Sequence, residues 1–218
     1  MRLFTRQGRG WMLLLTAAVA ALAVVLSGCG DDDNPTNNGG GTLSCGTREC
    51  MTAVMPDGKT WMTENLNVET ADSWCYKDSP DSCAKYGRLY TWNAAKTACP
   101  SGWRLPTRDE WGALAKAAGG TGDYGERGVA GRKLKAASGW NNNGNGTDDF
   151  GFSALPGGRR FTDGYFSWAG IFGYWWTATE RSSGSAYNRY IDYGEGDDFV
   201  IDGFYDKGTG YSVRCVEE

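Results

Sequence analysis

The chain has 218 residues, 22 Lys plus Arg against 26 Asp plus Glu, and a net charge of −4. It contains no His, which excludes Ser-His-Asp and Cys-His catalysis in their usual forms and any His-ligated zinc, copper or iron centre. A negative chain without clustered Lys and Arg is a poor partner for nucleic acid, because phosphate affinity needs a basic patch.

Residues 1–28 read as a removable signal peptide. Arg2, Arg6 and Arg9 give a basic start, Trp11 to Leu26 is an apolar run, and Ser27 and Gly28 are small. This is the three-part layout of an export signal, too short and wrongly flanked for a membrane span. The ending Leu26-Ser27-Gly28-Cys29 resembles the lipobox of bacterial lipoproteins. The resemblance implies that Cys29 is lipidated and anchors the mature chain to a membrane; more than one acyl chain makes such anchoring stable. Cleavage takes away three Arg and no acid, moving the net charge from −4 to −7. The acid run Asp31 to Asp33 is similar to the tag that sends lipoproteins outward in Bacteroidetes-like bacteria. The expected location is therefore the cell envelope, on the outer membrane with surface display.

Residues 29–42 comprise Cys29 and a flexible tether rich in Asp, Asn and Gly, which cannot bury apolar surface. Residues 43–218 are expected to form one domain, a length that suits one core.

Six cysteines remain beside Cys29: Cys45, Cys50, Cys75, Cys83, Cys99 and Cys215. An even set in an exported chain reads as disulfides, and six cysteines allow about 15 pairings. Joining near neighbours gives Cys45 with Cys50, Cys75 with Cys83, and Cys99 with Cys215.

Within the domain, residues 54–68 predict a hairpin around Pro56-Asp57-Gly58. Leu89 to Ala98 has helical spacing and stops at Pro100. Thr107-Arg108-Asp109-Glu110 is a capping box that opens a helix with Trp111, Leu114, Ala115 and Ala118 on one face; Gly119 and Gly120 close it. A short helix is expected over Arg132 to Ala137. Beyond Gly139 the texture turns to Gly, aromatics and small polar residues, with short strands expected over Phe150–Ala154, Tyr174–Ala178, Ala186–Tyr193, Asp198–Ile201 and Tyr211–Val216. Helices early and strands late predict an α+β domain.

Several blocks carry a family likeness. They are Thr60-Trp61-Met62-Thr63-Glu64-Asn65-Leu66-Asn67, Tyr86-Gly87-Arg88-Leu89-Tyr90, Cys99-Pro100-Ser101-Gly102-Trp103-Arg104-Leu105-Pro106-Thr107 with Glu110-Trp111, Gly146-Thr147-Asp148-Asp149-Phe150-Gly151-Phe152, Tyr174-Trp175-Trp176-Thr177-Ala178-Thr179-Glu180 and Tyr211-Ser212-Val213-Arg214-Cys215. In this order they resemble the Fibrobacter succinogenes major paralogous domain of exported proteins, over nearly all of residues 43–218. The Trp103-to-Trp111 block is also similar to the formylglycine-generating-enzyme branch of C-type-lectin-like folds. That resemblance implies a single C-type-lectin-like domain, with two or three short helices, a twisted and mainly antiparallel sheet, and neighbouring termini.

The most site-like stretch is Tyr187, Arg189, Tyr190, Asp192, Tyr193, Asp197, Asp198, Asp202 and Tyr205, where aromatics alternate with charges. Tyr offers a rigid face and a hydroxyl at low entropic cost. The charges are expected to face water and to bring some Tyr with them; Trp168, Arg159 and Arg160 can join that face. Trp168 is expected to be exposed, and Trp92, Trp103 and Trp111 buried. No cofactor is expected. Asn141, Asn143, Asn145, Gly146 and Asp149 echo a calcium loop, but position one lacks Asp and position twelve, Phe152, lacks the bidentate Glu.

The reading that follows is a non-catalytic surface module for a glycan or macromolecular ligand. The alternatives are a carboxylate-based glycan-active enzyme using Asp148 with Asp192 or Asp202, and a structural envelope protein. A formylglycine-type oxidase needs free thiols, whereas these cysteines read as paired.

Overall fold

A computed structural model describes residues 41–45, 48–194 and 198–218. Cys29, the signal segment and Asp197 lie outside the described residues, as do the side chains of residues 41–48.

In chain order the strands are β1 (Gly41–Cys45), β2 (Arg48–Val54), β3 (Thr60–Met62), β4 (Ser73–Trp74), β5 (Leu89–Tyr90), β6 (Trp103–Arg104), β7 (Gly120–Thr121), β8 (Arg127–Gly128), β9 (Arg159–Arg160), β10 (Phe166–Ser167), β11 (Phe172–Glu180), β12 (Ser185–Asp192), β13 (Ile201–Asp206) and β14 (Val216–Glu217). The α-helices are α1 (Pro80–Tyr86), α2 (Trp92–Ala98), α3 (Arg108–Ala117) and α4 (Ala130–Leu134). β1 begins at Gly41, inside the segment expected as tether.

Two sheets organise the domain. The first has the order β1-β2-β3-β14-β6, so the C-terminal strand lies between β3 and β6. The second is the antiparallel meander β11-β12-β13. This is an α+β domain of short helices and small antiparallel sheets.

The local signals act as their chemistry requires. The expected hairpin is β2–β3, pairing Ala53 with Trp61 across a turn at Gly58, where φ is +80°. Thr107 caps α3: its hydroxyl accepts from Glu110 N, and Glu110 reaches back to Thr107 N at 2.8 Å. The α3 stripe of Trp111, Leu114 and Ala115 is buried. The Cys75–Cys83 and Cys99–Cys215 bonds are both present, and Cys50 is disulfide-bonded as well.

Elsewhere tertiary contacts override the expectation. Leu89 and Tyr90 are strand, not helix: Tyr90 N donates to Tyr211 O at 2.8 Å, and Thr91 starts α2 by accepting from Ala94 N. The helix expected over Arg132–Ala137 is α4, shifted toward the N-terminus. It stops at Leu134 because Ala136 N and Ala154 O join at 3.0 Å, drawing the chain into an extended bridge. Residues 150–154 form a turn rather than a strand, with Gly151 at φ +67° and Ser153 at φ +52°; Ala154 alone bridges. β13 starts at Ile201, where the expected Asp198–Ile201 strand was to end. In the Tyr211–Val216 stretch only Val216 belongs to a named strand, while Tyr211 and Ser212 make single bridges. α1 is an element not expected from the sequence, although Pro80 at its first turn is a standard start signal.

β11 is buried on both faces, which explains its run of large apolar residues. Trp175 points into a core with Trp61, Trp111 and Phe152, where Trp61 and Trp111 meet edge-on at 5.1 Å. Tyr174 and Trp176 point the other way, into a second core with Met62, Leu66, Tyr90 and Tyr211. Alternation along a strand gives this division.

Candidate functional site

The meander divides the expected site residues between its two faces. Pairing places Arg189 opposite Trp175 and Asp202, and Tyr187 opposite Phe204. This face looks inward toward the start of α3. Asp202 holds two guanidiniums: Arg108 Nε donates to it at 2.9 and 3.1 Å, and Arg189 Nη1 lies 3.2 Å away. Arg189 Nη2 also donates to Arg108 O at 3.0 Å. The Arg108 guanidinium stacks between the rings of Tyr124 at 3.7 Å and Tyr187 at 4.0 Å.

Arg189 is fully buried, so the expectation that the charges of this stretch face water fails there. The cause is Asp202, which supplies the counter-charge that lets a guanidinium enter the interior. Burial still pulls the Arg189 pKa down, while its hydrogen bonds to Asp202 push Arg108 up. Arg189, Asp202 and Tyr187 thus join the meander to α3.

The other face is aromatic, with buried rings at its floor and exposed ones such as Tyr205 at its rim. Tyr174 pairs with Tyr190, and Ala186 with Tyr205. Tyr174 stacks on Tyr211 at 4.9 Å and on Phe172 at 5.5 Å. These rings, with Arg159 and Asn188, line a depression of about 290 Å³. Burial raises the Tyr174 hydroxyl to about 12 and drives Tyr211 up as well; Tyr190 rises through burial and then through the nearby Asp192 charge. These hydroxyls stay protonated and can both donate and accept.

A second depression of about 490 Å³ adjoins it, with Tyr76, Phe161, Tyr165, Phe166 and Trp168 among its walls. Arg159 lines both. Rings bridge the boundary: Phe161 lies 6.4 Å from Tyr205, and Trp168 5.4 Å from Phe172. Tyr165 is 66% exposed, Trp168 43% and Tyr205 39%. Trp168 holds φ at +76°, a left-handed conformation uncommon for a bulky residue and concentrated at binding sites.

Of the residues singled out in the sequence, Tyr190, Tyr205 and Trp168 line this continuous aromatic groove. Asp192 shares the face at its edge, with Oδ1 accepting from Gly194 N at 3.1 Å. Tyr193 packs on the first core instead. Asp198 lies 3.7 Å from Arg132. Arg160 stacks on Trp74 at 4.0 Å. In the loop that echoes a calcium site, Asn145 Oδ1 accepts from Trp140 N at 3.0 Å and Asp149 pairs with Lys133 at 3.9 Å. Among the described residues no group of three acidic or Cys side chains is placed to hold a metal. Tyr76, Phe161, Tyr165 and Phe166 went unnoticed in sequence, because they come from separate segments that only the fold brings together.

The model of the Fibrobacter succinogenes major domain family matches residues 54–217. The chain belongs to that family. Neither a curated protein nor a solved structure matches it. In this Fibrobacter succinogenes major domain the blocks that carried the likeness serve the frame. Arg104 forks onto Glu110 through two 2.7 Å bonds, and the same carboxylate completes the α3 cap. Gly87 lies so close to Asn65 that a Cβ would stand 2.8 Å from the Asn65 Cβ and carbonyl oxygen; its φ of +73° also favours glycine. Trp61, Trp111 and Trp175 build the core. Most of the groove lining lies outside those blocks.

Proposed function

We propose that this protein is a non-catalytic envelope module, tethered by lipid on Cys29, whose aromatic groove binds a saccharide ligand at the cell surface. The observation that carries the reading is the exposure of Tyr165 and Trp168 beside a continuous aromatic floor. Apolar rings grouped in the open mark interaction surfaces, and a flat ring suits the apolar face of a sugar. Tyr hydroxyls and the Asn188 amide supply the few polar contacts that orient a ligand. The lectin-like resemblance points the same way.

Binding is favoured over carboxylate hydrolysis because the candidate acids are engaged. Asp148 accepts from Ser153 N at 2.7 Å and Ser153 Oγ at 2.6 Å, and Asp202 is held by Arg108 and Arg189. The test is a glycan array probed with the processed lipoprotein in detergent, beside Trp168→Ala and Tyr165→Ala. The reading expects retention of a defined saccharide class by the wild type and its loss in both variants. Equal retention by all three, or none by the wild type, overturns it.

A further inference from the structure

We propose that the groove selects an acidic saccharide and that Arg159 receives its carboxylate. The inference rests on the saccharide reading above and adds the charge of the ligand. Arg159 lies where the two depressions meet. Its guanidinium sits 4.1 Å from the Phe161 ring, 5.1 Å from Tyr205 and 5.4 Å from Tyr174. Its Nε is buried and finds no acceptor. Among the described residues Arg159 forms no ion pair, whereas the buried Arg189 has Asp202.

The surroundings sharpen the contrast. The chain carries more acid than base, yet among the described residues no carboxylate lines either depression, and Lys77 adds a second cation to the larger one. Asp163, four residues along the chain, accepts from Tyr165 N at 2.9 Å, and Asp192, at the edge of the sheet face, accepts from Gly194 N. Arg159 bonds the Tyr211 hydroxyl but has no counter-charge among the described residues, and beside aromatic walls a hydrogen bond to an anion is stronger than one in water. The fork geometry of Arg suits both oxygens of a carboxylate. A uronic acid unites that carboxylate with a ring face for Trp168 or Tyr165.

The experiment titrates the processed lipoprotein in detergent with oligomers of galacturonate, glucuronate and mannuronate. The methyl esters of the same oligomers keep the ring and remove the charge, and sulfated neutral oligosaccharides supply the other common sugar anion. At least one uronate should bind, with affinity falling as salt rises, and its ester should bind about 10–100-fold more weakly, the usual range for a hydrogen bond to a charged group. Arg159→Gln should reproduce that loss on the acid and leave ester binding unchanged. Lys77→Gln, at an exposed position, should weaken the acid less. The ester comparison uses only wild-type protein, so it stands even if Arg159→Gln folds poorly. Esters or neutral sugars binding as tightly as the acids overturn the acidic preference and leave the saccharide reading standing. Binding of sulfated sugars alone overturns the carboxylate assignment. Binding of no saccharide overturns both.

Discussion

Asn65 Oδ1 accepts from two buried donors at once: Trp175 Nε1 and Arg214 Nε each lie 2.9 Å away. Arg214 is fully buried, and its remaining donors reach main-chain oxygens of Met62, Phe152 and Ser153. Desolvation lowers its pKa to about 9. Asn65 Nδ2 donates to Tyr86 O at 2.8 Å. One amide thus couples the segment after β3, the middle of β11 and the approach to β14.

Asn65→Ala should therefore be among the costliest single changes in the domain. It leaves two buried donors without their acceptor, on the order of 1–3 kcal/mol for each, with the charged donor toward the upper end. Urea denaturation checks this; a shift under about 1 kcal/mol shows that water or a neighbouring carbonyl replaces the amide.

Glu110 makes a prediction about acid. The hydrogen bonds from Arg104 lower its pKa from 4.5 to about 2. A carboxylate depressed in the folded state stabilises the fold above its unfolded value. That contribution is complete above pH 4.5 and drains away as pH falls toward 2. Glu110→Gln can keep the helix cap while removing the charge. The variant should be less stable at neutral pH, and its urea midpoint should fall less steeply across that window. Parallel acid limbs would exclude Glu110 as a source of the acid sensitivity.

The Cys75–Cys83 and Cys99–Cys215 disulfides should differ in worth. Cys99–Cys215 spans 116 residues of sequence and Cys75–Cys83 spans 8. In the chain-entropy account these loops contribute about 5 and about 2.5 kcal/mol. Replacing each pair by Ala and comparing urea midpoints should give the larger loss for the long loop. The reverse order would show that local strain or residual unfolded structure outweighs loop length.

The groove and core aromatics should separate in thermal melts. Trp168→Ala and Tyr165→Ala remove exposed rings and should leave Tm nearly unchanged while ligand retention falls. Phe152→Ala, fully buried between Trp61 and Trp111, should cost about 3–5 kcal/mol. A large destabilisation from both exposed variants would make the groove a structural element.

Lipid on Cys29 is expected to hold the protein at the membrane. Metabolic labelling with a fatty-acid probe should mark the wild type and not Cys29→Ala, and the variant should leave the membrane fraction. Equal labelling of both forms rules out the anchor.

The sequence by itself determined what depends on near neighbours. Thr107 and Glu110 are three residues apart, so their reciprocal cap and the buried face of α3 could be read directly. The Asp57-Gly58 turn set the β2–β3 hairpin for the same reason, and Gly119 closed α3 at φ +100°. Tertiary structure decided everything that depends on which face of a strand meets which neighbour. The alternating stretch from Tyr187 to Tyr205 looked like one surface, but pairing sends Arg189 and Asp202 inward and leaves Tyr190 and Tyr205 on the open side. Arg159 gained its place because Gly158 bridges to Gly173 of β11 while Phe161 and Tyr205 close around the side chain. A guanidinium's partners are set by contacts many residues away, and no local spacing encodes them.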